Sequence, residues 1–216
     1  KQGLAGKVST FAECDTPRVL TNLLVKDGAN YLVLVNDNRA YGERAGEKYK
    51  AVLDKLLPVN TVVTLNEWPH ETLTAYDMLR KQELPVEKAD GRWKFNVDLD
   101  ELGGTIVALY PAPLAQVRMR TQSTLVPGME NTLVVSIEDL GGVPVAGLQP
   151  LRLDITNAEG TNNAYSGYYC AQDGVLRLPI VPGLNEAATA WKIRAEDLTA
   201  GLVTEYLLNI ADPVIV

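Results

Sequence analysis

Residues 119 to 216 repeat one rhythm that leaves few folds open. "NTLVVSIED", a Gly-Gly turn, "LQPLRLDIT", a Glu-Gly turn, "AYSGYYCAQ", an Asp-Gly turn, "VLRLPIV", a Pro-Gly loop, "TAWKIRAED" and "VTEYLLNI" follow one another, with a turn signal every ten or so residues. Alternation with a period of two sends every second side chain to one face, so each run is a half-buried strand. Short strands at this spacing predict an antiparallel sandwich of immunoglobulin-like architecture. Its inward set is Leu133, Val135, Ile137, Leu151, Leu153, Ile155, Trp191, Ile193, Tyr206 and Leu208.

The first half reads as mostly β as well. "PRVLTNLLVKDGANYLVLVND" is two strands around Asp27-Gly28, a strong hairpin signal, and "TVVTL", "WKFNVDLD" and "GGTIVALYP" are further strands. Between them, "RAYGERAGEKYKAVLDKLLP" places Tyr49, Val52, Leu53, Leu56 and Leu57 at helical spacing ahead of Pro58, which predicts one short helix within residues 39 to 58. The stretch "TAYDMLRKQELPV" (74 to 86) fits a helix or a hairpin by its own spacing. A chain of 216 residues accommodates two domains of about 100 residues each. The expected fold is therefore all-β: two antiparallel sandwiches, residues 1–118 and 119–216, with one helix inserted in the first.

Composition narrows the partners. The net charge is -7, with 15 basic against 16 acidic residues up to position 118 and 5 against 11 after it. Phosphate binding wants clustered Lys and Arg, so nucleic acid is not an expected partner. No apolar run approaches the roughly 20 residues of a membrane span. The chain starts without Met or a charged-then-apolar leader, which predicts a processed product or, as the favoured reading, a piece of a longer protein. Cys14 and Cys170 fall in different halves and are expected to be free thiols.

Candidates for chemistry are few. His70 is the only histidine, so a triad or zinc site built on any other imidazole is excluded, and its polar loop predicts a surface position. Carboxylates sit at strand ends beside turns, as Asp98, Asp100 and Glu101 in "NVDLDEL" and as Glu138 and Asp139 in "SIEDL". A pair of acids suffices for glycoside hydrolysis, but solvated strand-end carboxylates are the ordinary reading, and the same holds against calcium at Asp98 and Asp100. No catalytic residue, metal or cofactor is assigned. Aromatic faces are the remaining candidates for a ligand: Trp68 is expected to be exposed, Tyr165, Tyr168 and Tyr169 put aromatics on both faces of one strand, one face expected to be buried, and Trp93 and Trp191 are expected in the core.

The run from "DTPRVLTNLLVKDGANYLVLVND" through "VTLNEWPHETLTAYDMLRKQELPV" to "GRWKFNVDLDELGGTIVALYP" resembles the β-sandwich domain that follows the catalytic barrel in many bacterial glycoside hydrolases. The matching elements are Tyr31 to Asn36, Tyr76-Asp77-Met78-Leu79, Phe95-Val97-Leu99, and Gly103-Gly104 leading to Ala108-Leu109-Tyr110, over residues 15 to 112. The resemblance implies that "TAYDMLRKQELPV" is two strands joined by a turn at Arg80 to Glu83, where Arg-Lys-Gln-Glu replaces the usual Gly. The 39–58 insertion is a second departure from that pattern. "NTLVVSIEDLGGVPVAGLQPLRLDITNAEG" and "AATAWKIRAEDLTAGL" resemble immunoglobulin-like modules of bacterial surface proteins and of the macroglobulin family. Together these resemblances imply a non-catalytic accessory region of an exported protein, extracellular or periplasmic, with the parent's catalytic domain as partner. The alternatives are a carbohydrate-binding module using Trp68, Tyr165 or Tyr168, and a cell-surface adhesion or macroglobulin-like spacer.

Overall fold

The structure is a computed structural model that describes residues 10–41, 53–101, 103–186 and 189–212. It is all-β, and the chain divides into two compact units, Lys1–Val25 with Asn30–Pro111 and Lys26–Ala29 with Ala112–Val216. The expected boundary at residue 118 falls inside a strand, Gln116–Arg120, that pairs within the second unit. No helix among the described residues is long and apolar enough to cross a membrane.

The first unit contains β1 (Ala12–Cys14), β2 (Val19–Lys26), β3 (Ala29–Asn36), β4 (Arg39–Tyr41), β5 (Leu53–Leu56), β6 (Val59–Leu65), β7 (Thr74–Asp77), β8 (Gln82–Leu84), β9 (Val86–Ala89), β10 (Arg92–Leu99) and β11 (Gly104–Tyr110). Two sheets face each other, ordered β1-β6-β10-β9 and β2-β3-β11-β7-β8. Each sends one alternating set of side chains to a shared core. Val63, Leu65, Phe95, Val97 and Leu99 come from the first sheet, and Leu32, Leu34, Ala75, Val107 and Leu109 from the second. At roughly 1.5–3 kcal/mol for each large apolar side chain removed from water, this layer is the main source of cohesion.

Two-residue Asp-Gly corners set the register. Asp90-Gly91 has φ of 54° and 77°, and Ala89 pairs with Arg92 directly across it. Left-handed conformation at both corner residues is what a tight turn between twisted strands requires, which is why Asp and Gly occupy it. The stretch "TAYDMLRKQELPV" is a hairpin: Asp77 pairs with Gln82 across residues 78 to 81, two positions earlier than the expected turn.

The helix expected over residues 39 to 58 is corrected at both ends. Arg39–Tyr41 and Leu53–Leu56 pair antiparallel as β4 and β5, with Arg39 opposite Leu56. The rest of the expectation, residues 42 to 52, lies outside the described residues. Asn36 explains why the ends pair: its buried amide donates to the carbonyls of Leu57 and Asp100 while its Oδ1 accepts from the Asn38 amide. Leu57 in turn donates to the Asn38 carbonyl. Those bonds hold both ends of the excursion side by side, and a ladder satisfies their backbone groups where helical spacing alone would have predicted a turn of helix.

The second unit contains β12 (Gln116–Arg120), β13 (Thr124–Leu125), β14 (Asn131–Glu138), β15 (Leu148–Thr156), β16 (Gly167–Gln172), β17 (Val175–Ile180), β18 (Ala190–Asp197) and β19 (Val203–Ile210). They form one hydrogen-bonded succession, β12-β14-β17-β16-β15-β18-β19-β13. Every pairing in it is antiparallel except β13 with β19. Nine of the ten expected inward residues are buried; Tyr206 is 37% exposed. Tyr206 shares a face with Leu208, but β13 pairs with β19 at Asn209 and Ile210 and does not reach Tyr206.

Candidate functional site

The first unit has an open groove of about 610 Å³ at one end of its sandwich, with Phe11, Leu65, Trp68, His70, Lys88, Arg92 and Trp93 in its lining. Its floor follows from register. Ala12, Leu65 and Trp93 are aligned across β1, β6 and β10, so Trp93 is the last inward residue of its row. It lies two residues after the Asp90-Gly91 corner and pairs with Lys88, an exposed residue of the edge strand β9. Trp93 is therefore half-buried, packed against the core on one side and facing the groove on the other, rather than enclosed as expected.

The loop after β6 makes the wall. Asn66 donates to the Thr10 carbonyl at 2.9 Å and accepts from Arg92 at 3.2 Å, which fixes both. Trp68 is half-buried instead of exposed, because its indole N–H donates to the Thr72 carbonyl at 2.8 Å and its ring packs on the core edge. His70 is exposed, as expected, and meets Trp68 edge-on with ring centroids 5.2 Å apart. The Lys88 ammonium lies 5.2 Å from the Trp93 ring centroid, within cation–π range. Four aromatic rings, the His70 imidazole among them, and the cations Lys88 and Arg92 thus line one concavity. Only Trp68 of this set was a sequence candidate for a ligand; the signal for Trp93 was its place two residues after a tight Asp-Gly corner.

The tyrosines of the second unit do not assemble into one patch. Tyr165 precedes β16, and its hydroxyl accepts from the Val181 amide at 2.9 Å and donates to the Val181 carbonyl at 3.3 Å, while its ring tilts against Trp191. Trp191 is buried, as expected. The Tyr169 hydroxyl donates to the Tyr165 carbonyl at 2.8 Å. Only Tyr168 points outward, 74% exposed, with the Arg152 guanidinium 5.9 Å from its ring centroid. Tyr165 and Tyr169 hold a turn in place, and Tyr168 is left as a single exposed ring.

The candidate acids are tied to the fold. Glu138 is fully buried and accepts from Ser136 at 2.7 Å, Gln116 at 3.0 Å and Arg120 at 3.2 Å, with Arg118 at 3.5 Å. Asp139 closes the turn after it by accepting from the amides of Gly141 and Val143. Asp98 is exposed and accepts from Asn60 at 2.6 Å, and Asp100 is ion-paired with Arg80 at 3.4 Å. Among the described residues, no group of three or more His, Cys, Asp and Glu side chains is arranged to hold a metal ion. Cys14 and Cys170 are free thiols, and desolvation pushes both upward in pKa, away from the thiolate that a nucleophile needs. No family model matches the chain, and no curated protein matches it.

Proposed function

We propose that this chain is a non-catalytic accessory region of a larger exported, glycoside-hydrolase-like protein. Its first domain packs on a catalytic domain, and its second, an immunoglobulin-like sandwich, supports or spaces that assembly. The observation that carries the reading is an apolar row on the outward face of the five-stranded sheet. Leu32, Leu34, Val107 and Leu109 face the core, so alternation turns Val33, Val35 and Ile106 outward, with Ile106 directly opposite Val33. Leu20 and Leu24 extend the row on β2 and are 56% and 52% exposed. Apolar side chains spread across three adjacent strands mark a surface made to be covered, whereas scattered ones need no explanation.

The buried acids favour support over chemistry. Asp77 and Glu138 each spend both carboxylate oxygens on donors that close a hairpin or bind neighbouring strands. The resemblance to glycosidase accessory domains spans both sheets, with Tyr31–Asn36 on β3, Tyr76-Asp77 on β7 and Gly104–Tyr110 on β11 of this one and Phe95-Val97-Leu99 on β10 of the other.

The test is to mix the isolated chain with the catalytic portion of its parent polypeptide and follow complex formation by sedimentation velocity. Complex formation is expected for the natural chain and is expected to disappear in the Leu20→Glu/Leu24→Glu variant. Those positions are exposed, so the variant's stability should stay within about 0.5 kcal/mol of the parent. A parent polypeptide without a barrel bearing paired carboxylates, or a complex indifferent to the two substitutions, would sink the proposal.

A further inference from the structure

The groove of the first unit lies on different side chains from the docking face. Leu23 alternates to the core side of β2 and lines the groove, whereas Leu20 and Leu24 point to the opposite face. We infer that this groove binds a segment of an acidic polysaccharide, with sugar rings against Trp93 and Trp68 and the sugars' carboxylate or sulfate groups at Lys88 and Arg92.

Three features point to that ligand. The lining interleaves aromatic faces with side-chain amide, guanidinium and ammonium groups, which suits a molecule that has apolar ring faces and a rim of hydroxyls. The local charge also runs against the rest of the molecule. Lys88 and Arg92 share the groove with a single carboxylate, Glu67, in a chain of net charge -7. Finally, the Lys88 ammonium is held near the Trp93 ring. Any sugar stacking there displaces that cation from the ring face, but an acidic sugar gives it a carboxylate or sulfate partner in return, whereas a neutral one does not. A peptide is the poorer fit. Among the described residues, the edge strand β2 contributes only Leu23 and Val25, and the rest of the lining comes from separate segments at strand ends and turns, so an extended chain would find little edge to join.

The experiment titrates the 216-residue chain with oligogalacturonate, a sulfated galactan oligosaccharide, fully methyl-esterified oligogalacturonate and poly-glutamate, reading tryptophan fluorescence and calorimetry. An acidic oligosaccharide should bind and shift the tryptophan emission. Whether the carboxylated or the sulfated one responds identifies the acid group. The methyl ester should bind at least about tenfold more weakly, and raising the salt from about 0.05 to 0.5 M should weaken the acidic ligand. Lys88→Glu/Arg92→Glu should lose the acidic ligand. Trp93→Ala should lose it too, with circular dichroism as the control because Trp93 also packs on the core. Since the charge reversals lie on the rim, they test the inference even if Trp93→Ala fails to fold. Equal binding of the methyl ester, equal binding of poly-glutamate, binding unchanged in Lys88→Glu/Arg92→Glu, or silence with all the oligosaccharides would each overturn it. None of these outcomes depends on the docking face.

Discussion

A carboxylate taken out of water has to be answered by donors, and Asp77 is answered four times. Its Oδ1 accepts from the Thr105 hydroxyl at 2.7 Å and the Leu79 and Arg80 amides at 3.0 and 3.2 Å, and its Oδ2 accepts from the Arg80 guanidinium at 2.6 Å. Asp77→Ala leaves those donors short of a partner inside the β7–β8 hairpin, so a loss of about 3 kcal/mol is expected in urea unfolding. Asp15 acts at the surface. Hydrogen bonds from the Thr61 hydroxyl and the Val62 amide lower its pKa below the ordinary carboxylate value. A group depressed in the folded state stabilises above its unfolded pKa and loses that contribution as pH falls through the folded one. The melting-temperature advantage of the natural chain over Asp15→Asn should therefore be constant near neutrality and shrink below about pH 4. Neither role was legible in the sequence. Tyr76-Asp77 stood out as a pair of uncertain structure, but Thr105 is 28 positions away and only the β7–β11 pairing brings it near.

At the scale of elements, turns were the legible part and edges the illegible one. Asp27-Gly28 and Asp173-Gly174 were read as hairpin corners, and both carry the paired left-handed φ values that a two-residue turn needs. The six strands read in residues 119 to 216 became β14 to β19, because alternation and turn chemistry agree there. The helix predicted within 39 to 58 met a stronger competitor: the apolar spacing of Leu53, Leu56 and Leu57 suits a helix, but Asn36 holds the two ends of that excursion together as a ladder. β12 and β13 were missed, since five and two residues without strict alternation give little periodic signal. Close strand approach also gives one glycine a role that sequence could not disclose. A Cβ on Gly104 would overlap the carbonyl oxygen of Leu34 on the paired strand β3. Gly104→Ala should therefore force the β3–β11 ladder apart and cost about 2 kcal/mol or more, whereas Gly91→Ala meets no neighbour and should cost only its φ strain; paired urea titrations separate the two.

At the scale of the whole molecule, the apolar sheet face and the aromatic groove were legible to different degrees. The face could be read only after register assigned each residue of "YLVLVN" to core or solvent, because a continuous apolar run hides its own alternation. The groove was half-read through Trp68, and the rest required knowing where a row of inward residues ends. The second unit carries one more feature with a consequence of its own. β13 lies parallel to β19, Thr124 beside Asn209 and Leu125 beside Ile210, and the Ala211 amide adds a bond to the Leu125 carbonyl. Once β12 has parted from β14, tension that enters at Thr124 and leaves at Ala211 draws these two strands lengthwise past each other. Their bonds then share the load at once instead of parting one by one. Resistance to stretching is a matter of unfolding rate rather than of equilibrium stability, and a clasp of two paired residues and one further bond has few bonds among which to divide a load.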